Sequence, residues 1–178
     1  YKIYHPSGAR AFDHAFMGEK IFGRKFSIKS VAAEALPAAT ETALAMGRHL
    51  DGCRIGFDLG GSDRKAAALI DGKVVFSEEI AWDPYFQKDP AYHLEGVHDS
   101  IKRAAAHLPR VDAIGGSAAG VYVNNEGRAA SLFRGVPPGL FDAKVKRMFF
   151  ALQERWGGVP FEVVNDGEVT ALAGSMAL

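Results

Sequence analysis

Two residues, Asp71-Gly72, separate an apolar run over 66–70 from the run Lys-Val-Val-Phe-Ser-Glu-Glu-Ile over 73–80. Asp-Gly is the pair a type I′ turn demands, because both central positions need φ > 0, and that turn joins antiparallel strands. A third β run, Arg54-Ile55-Gly56-Phe57-Asp58-Leu59, lies just upstream. The chain is therefore committed to a sheet of three successive segments before any helix of that region begins.

Downstream the period changes. Asp89-Pro90 couples a helix N-cap to a proline at the first helical position, and Leu94, Val97, Ile101, Ala104, Ala105 and Leu108 keep helical spacing up to Pro109. A buried strand is expected over 111–114, then a loop of small residues, Gly115-Gly116-Ser117-Ala118-Ala119-Gly120. Segments 121–123 and 128–133 are expected to form a second hairpin around Asn124-Asn125-Glu126-Gly127. Beyond the rigid stretch Val136-Pro137-Pro138-Gly139, Asp142 is expected to cap a helix that carries Val145, Met148, Phe149, Leu152 and Trp156 on one face and ends at Gly157-Gly158. A last strand over 161–164 runs into Asn165-Asp166 and a final helix. The expected fold class is α/β: a mixed sheet, three antiparallel segments followed by helix-strand units, with helices packed on it.

Ahead of Asp51-Gly52 the chain differs. Lys2, Arg10, Lys20, Arg24, Lys25 and Lys29 face only Asp13 and Glu19 over the first 30 residues, with Phe12, Phe16, Phe22 and Phe26 interleaved. Residues 1–50 read as a basic N-terminal extension with a short helix over 40–50, capped by Thr40, and residues 51–178 as the main domain. With 178 residues, 48% of them hydrophobic, the chain suits one well-cored domain with an appendage. Lys+Arg 21 balances Asp+Glu 21, so bulk charge gives no support to a nucleic-acid or membrane partner. A single Cys53 allows no internal disulfide, and no apolar run approaches the roughly 18 residues of a membrane span. A cytoplasmic location is expected. Starting at Tyr1 and ending at Leu178 within a helical stretch, the chain is expected to be part of something longer.

The chemistry concentrates at strand ends, where open α/β sheets bind ligands. Asp58-Leu59-Gly60-Gly61-Ser62 follows an apolar strand and precedes another, so it is neither a Walker A nor a Gly-x-Gly-x-x-Gly turn. Its two glycines let backbone N–H groups approach a phosphate, Ser62 adds a hydroxyl, and Asp58 can hold Mg²⁺ through water. The same residues also suit a tight strand turn. Asn165-Asp166 ends a strand and opens a helix, where Asp166 is either an N-cap or a carboxylate placed to take a proton from a substrate hydroxyl.

These three segments, 58–62, 114–120 and 159–166, resemble in order the motifs of the ROK sugar kinases, within the actin/hexokinase ATPase superfamily. The resemblance spans about 125 residues, from Cys53 to Leu178. It implies a ribonuclease H-like sheet, ATP and Mg²⁺ as cofactors, and phosphorylation of a hexose or N-acetylhexosamine hydroxyl. It implies Asp166 as general base, Asn165, Gly120 and Arg134 on the sugar side, and Asp58, Gly60, Gly61 and Ser62 at the phosphate and Mg²⁺ end. It also implies a single N-terminal lobe, inactive without its C-terminal partner lobe, a small-molecule sugar as partner, and a homodimer of the full-length protein. A ROK-type sugar-sensing regulator and a non-catalytic ligand-binding member are the alternatives. Several positions depart from the family pattern: Asp63 stands where the family has Lys, Ser117 and Ala119 replace a Gly and a Pro, and Glu168 replaces an Asn.

Overall fold

The computed structural model describes residues 2–39 and 49–177, in two compact units, Tyr1–Ala45 and Met46–Leu178. The short helix expected over 40–50 falls almost entirely outside the described residues. In the first unit, 3₁₀ turns at Lys2–Tyr4 and Ala33–Ala35 flank helix α1 (Ala11–Asp13), which runs on as a π-helix over His14–Ile21. The chain then turns back at Gly23 (φ +62°), and a Cβ at Gly18 would lie 2.6 Å from the Phe26 amide nitrogen. Phe12 stacks on Phe16 at 4.9 Å and Phe26 packs against Tyr4 at 5.7 Å.

The second unit is built on strands β1 (Cys53–Leu59), β2 (Asp63–Ile70), β3 (Lys73–Ala81), β4 (Ala113–Ala118), β5 (Val121–Val123), β6 (Glu126–Ala129) and β7 (Phe161–Asn165). The five-stranded sheet has the order β3-β2-β1-β4-β7, with β1 antiparallel to β2, β2 antiparallel to β3, and β1, β4 and β7 parallel. This is the ribonuclease H-like arrangement, α/β as expected. Asp71 (φ +48°) and Gly72 (φ +79°) make the tight turn between β2 and β3.

Helices and short helical turns complete the second unit. Helix α2 (Pro90–Ala105) starts where Asp89 accepts the Ala91 N–H at 2.9 Å, and it buries Val97, Ile101 and Ala104. Helix α3 (Pro138–Leu140) passes through a π-helical stretch, Phe141–Val145, to α4 (Met148–Arg155), and α5 (Asp166–Ala177) follows β7. The core joins alternate residues of β1 (Ile55, Phe57, Leu59) to α2 and to Val145, Met148, Phe149 and Leu152. Gly157 and Gly158 (φ +72° and +73°) close the segment after α4.

Four local expectations are corrected. The small-residue segment after residue 114 is not a loop. Strand β4 continues through Gly115-Gly116-Ser117-Ala118, because pairing with β1 and β7 on both sides satisfies its backbone and overrides the low strand propensity of glycine. The strand expected over 111–114 begins at Ala113. Asp142 does not cap a helix, since helical backbone begins at Pro138 and Asp142 lies inside the π-helical stretch. The break before α4 has a visible cause: the Lys146 carbonyl accepts the Gly127 N–H at 3.0 Å. Finally, the second hairpin turns on Asn124 (φ +51°) and Asn125 (φ +62°), so β6 begins at Glu126, and 131–133 is a 3₁₀ turn.

That hairpin is stitched to the outer edge of β7 by one side chain. The Asn125 Nδ2 donates to the Phe161 carbonyl at 2.6 Å, and its Oδ1 accepts the Val163 N–H at 2.7 Å. Asn125 therefore replaces a neighbouring strand for two backbone groups. Asn125→Ala is expected to lower unfolding stability by about 2–3 kcal/mol, because unpaired part-buried backbone groups each cost roughly 1–3 kcal/mol. Asn125→Gly, which keeps the positive φ without strain, is expected to recover only a minor part of that loss in a denaturant titration.

Candidate functional site

Parallel pairing aligns the carboxyl ends of β1, β4 and β7, and a cleft of about 570 Å³ opens there. Asp58, Leu59, Gly60 and Gly61 line one part of it, and Ser117, Ala119, Ser131 and Leu132 another. Asp166, Val169 and Thr170 complete the wall together with Tyr85. Of the residues singled out in the sequence, Asp58, Gly60, Gly61 and Asp166 thus share one cavity. Ser62, Gly120, Asn165 and Arg134 are not among the residues that line it.

Register explains the phosphate-type end. Asp58 pairs with Ser117 across the parallel ladder and with Lys65 across the antiparallel one, so these three side chains share a face. Ser117 Oγ donates to one Asp58 oxygen; the other lies 3.9 Å from Lys65 Nζ. Lys65 also pairs with Asp63 and sits 3.9 Å from Glu79. The hydrogen bond from Lys65, with a second from Ser62 Oγ, holds the half-buried Asp63 carboxyl below its ordinary range. Arg64, one residue on, points to the opposite face, where it bonds Ser100 and reaches Asp99 at 2.7 Å. The half-exposed Asp58 carboxylate, with one oxygen free of strong partners, fits a Mg²⁺ ion held through water.

The turn itself is tightly built. The Gly60 N–H donates to the Asp63 carbonyl at 2.9 Å, and the Gly60 carbonyl accepts Trp82 Nε1–H at 2.9 Å. Above Gly61 sits Tyr85, whose Oη would be 2.1 Å from a Cβ at that position. An aromatic ring closes on this glycine, so a Cβ there would force Tyr85 to shift. The sequence suggests a loop over 82–85 near the cleft but assigns Tyr85 no role. The sequence Trp82-Asp83-Pro84-Tyr85 carries an aromatic-rich loop with no periodicity, and only the fold brings it over the turn. Its base is fixed by His93, fully buried, whose Nε2 lies 3.0 Å from the Pro84 carbonyl; burial pushes this imidazole toward its neutral form.

At the other end, the helix start is capped by Asn165 rather than by Asp166. Asn165 Oδ1 accepts the Gly167 N–H at 2.9 Å, and Glu168 Oε2 accepts the Asn165 N–H at 3.2 Å, a reciprocal capping box. Asn165 Nδ2 also donates to the Gly120 carbonyl at 2.8 Å. Gly120 (φ +147°) admits no side chain, since a Cβ would stand 2.7 Å from Ala129 O and Ala130 Cβ. Asp166 Oδ1 accepts the same Gly167 N–H at 2.9 Å, and its residue lines the cleft. Beneath it the Tyr122 phenol is pushed well above its usual range by burial, with a smaller contribution from the Asp166 charge.

No family model matches the chain. No curated protein matches it either. Solved structures do. A candidate sugar kinase from Cytophaga hutchinsonii superposes with a TM-score of 0.53 at 17% identity, covering 68% of this chain and 38% of that one. The ROK hexokinase of Thermus thermophilus gives 0.47 at 18% identity, covering 64% and 34%. A ROK family transcriptional regulator homologous to the Escherichia coli MLC protein gives 0.44 at 19%, covering 71% and 31%. The chain therefore spans about a third of the length of these proteins. The Cytophaga superposition defines the class: an α/β chain with the sheet fold of a sugar-kinase structure. Among the described residues no helix is long and apolar enough to cross a membrane.

Proposed function

We propose that this cleft phosphorylates a sugar hydroxyl from Mg·ATP, with the chain supplying the first phosphate turn and the catalytic base. Asp166 takes the proton of the attacking hydroxyl as that oxygen bonds the γ-phosphorus and ADP departs with the bridging oxygen. Asn165, Gly120 and Arg134 form the acceptor side. Asp58, Gly60, Gly61 and Ser62 form the phosphate side, with Asp58 holding Mg²⁺ through water. Held there, the ion would supply charge neutralisation for the phosphates. The acceptor is a hexose or N-acetylhexosamine, and the location cytoplasmic.

The observation that carries this reading is that Asp166 and the Asp58-to-Gly61 segment, 105 residues apart between Gly61 and Asp166, line a single cleft at the ends of parallel strands. Positioning a base opposite a phosphate turn is most of what phosphoryl transfer requires of a protein. A second reading, ligand binding without transfer, is favoured by Lys65, whose charge is matched by Asp58, Asp63 and Glu79. ADP release by the full-length protein, with Mg·ATP and a panel of hexoses and N-acetylhexosamines, separates the two. Sugar-dependent ADP carries the kinase reading. Sugar binding with ADP at background sinks it in favour of sensing.

A further inference from the structure

The cleft wall carries two acids, Asp58 and Asp166. The lysine beside the turn is ringed by three carboxylates, so an anionic ligand gains little net attraction there. Arg134 is differently placed. It directly follows the 3₁₀ turn Ser131–Phe133, from which Ser131 and Leu132 line the cleft, and its guanidinium lies 3.9 Å over the ring of Tyr85, itself a lining residue. Phe86 adds a second aromatic contact at 5.5 Å. Arg134 is exposed, and among the described residues no carboxylate pairs with it. Stacking occupies the face of a guanidinium and leaves its in-plane N–H fork free, the geometry that matches carboxylate or phosphate oxygens.

We infer that Arg134, held over the ring of Tyr85, is an anion subsite at the lip of the cleft that takes a carboxylate or phosphate group of the bound ligand. Its assignment to this cleft's ligands rests on the function proposed above. In that setting the oxyanion is a carboxylate or phosphate group carried by the hexose-type acceptor, or it belongs to the nucleotide. Tyr85 is a positioning residue: its ring orients the fork, and its hydroxyl end closes on Gly61.

Isothermal calorimetry on the full-length protein tests this with glucose, glucuronate, glucose 6-phosphate and metal-free ADP. Arg134→Ala is expected to weaken anionic probes about 10-fold or more, as loss of hydrogen bonds to a charged group implies, and to weaken glucose by a clearly smaller factor. Arg134→Lys, which keeps charge without the stacked fork, is expected to recover only part. Tyr85→Ala is expected to weaken the same probes. Loss confined to the two charged sugars supports an acceptor subsite, and loss confined to ADP supports a nucleotide subsite. No anionic probe binding the wild-type protein, no loss in Arg134→Ala, or an equal loss for glucose overturns the inference. The kinase reading fails separately: absent ADP release with an Arg134-dependent anion preference removes that reading and leaves the subsite standing.

Discussion

Asp166→Asn is expected to lower sugar-dependent ADP release by about 10²- to 10⁴-fold, the usual consequence of losing a positioned base, with the melting temperature unchanged. Both halves follow from the same geometry. The Asp166 carboxylate lines the cleft. Its one hydrogen bond as an acceptor, to the Gly167 N–H at 2.9 Å, can be made equally by an asparagine oxygen. The cap of α5 belongs to Asn165 and Glu168, which the substitution leaves alone. An amide cannot accept the hydroxyl proton, so kcat falls while sugar affinity, measured separately, holds. Transfer at wild-type rate in the variant removes Asp166 as the base. A large loss of melting temperature would instead mean that the carboxylate serves the fold.

Gly116→Val is expected to destabilise the second unit by about 3 kcal/mol, the upper part of the usual range for overpacking. Valine is a better strand residue than glycine, so local propensity alone gives the opposite sign. The structure overrules it. Gly116 pairs with Phe57 in the parallel ladder, and a Cβ there would stand 2.1 Å from Phe57 Cζ. Phe57 cannot retreat, because it packs against Phe149 and Phe161 with centroids 6.3 and 5.9 Å away. The neighbouring residue is an internal control. Gly115 points to the other face, where a Cβ would meet nothing within 4 Å, and Gly115→Val is expected to be tolerated. Urea midpoints of the two variants should differ clearly, and equal midpoints would refute the packing argument.

The contrast between adjacent glycines also marks what the sequence could and could not disclose. Asp71-Gly72 and Asp89-Pro90 were legible because turn and cap chemistry is local: φ > 0 and a side-chain acceptor are demands made within four residues. Gly115 and Gly116 were not, since their strand conformation is imposed by β1 and β7, which lie roughly fifty residues away on either side. The same holds at the site. Asp58 and Asp166 stood out because strand ends are where open sheets bind ligands. Tyr85 did not, because its place over Gly61 depends on how an aperiodic loop closes and on the buried His93 beneath it. The role of Asp166, cap or base, was ambiguous for a related reason: the sequence does not show that Asn165 and Glu168 build a capping box around the helix start.

Trp82 gives the turn an optical readout. Its indole N–H is bonded to the Gly60 carbonyl at 2.9 Å and its backbone N–H to the Ser62 carbonyl at 3.0 Å. Indole emission shifts with the polarity and hydrogen bonding around its nitrogen, so a rearrangement of the Gly-Gly turn registers as a wavelength change without any label. The sequence holds only two tryptophans, and the other, Trp156, follows α4 beside His98. With Trp156 replaced by phenylalanine, the protein becomes a single-emitter reporter of its own cleft.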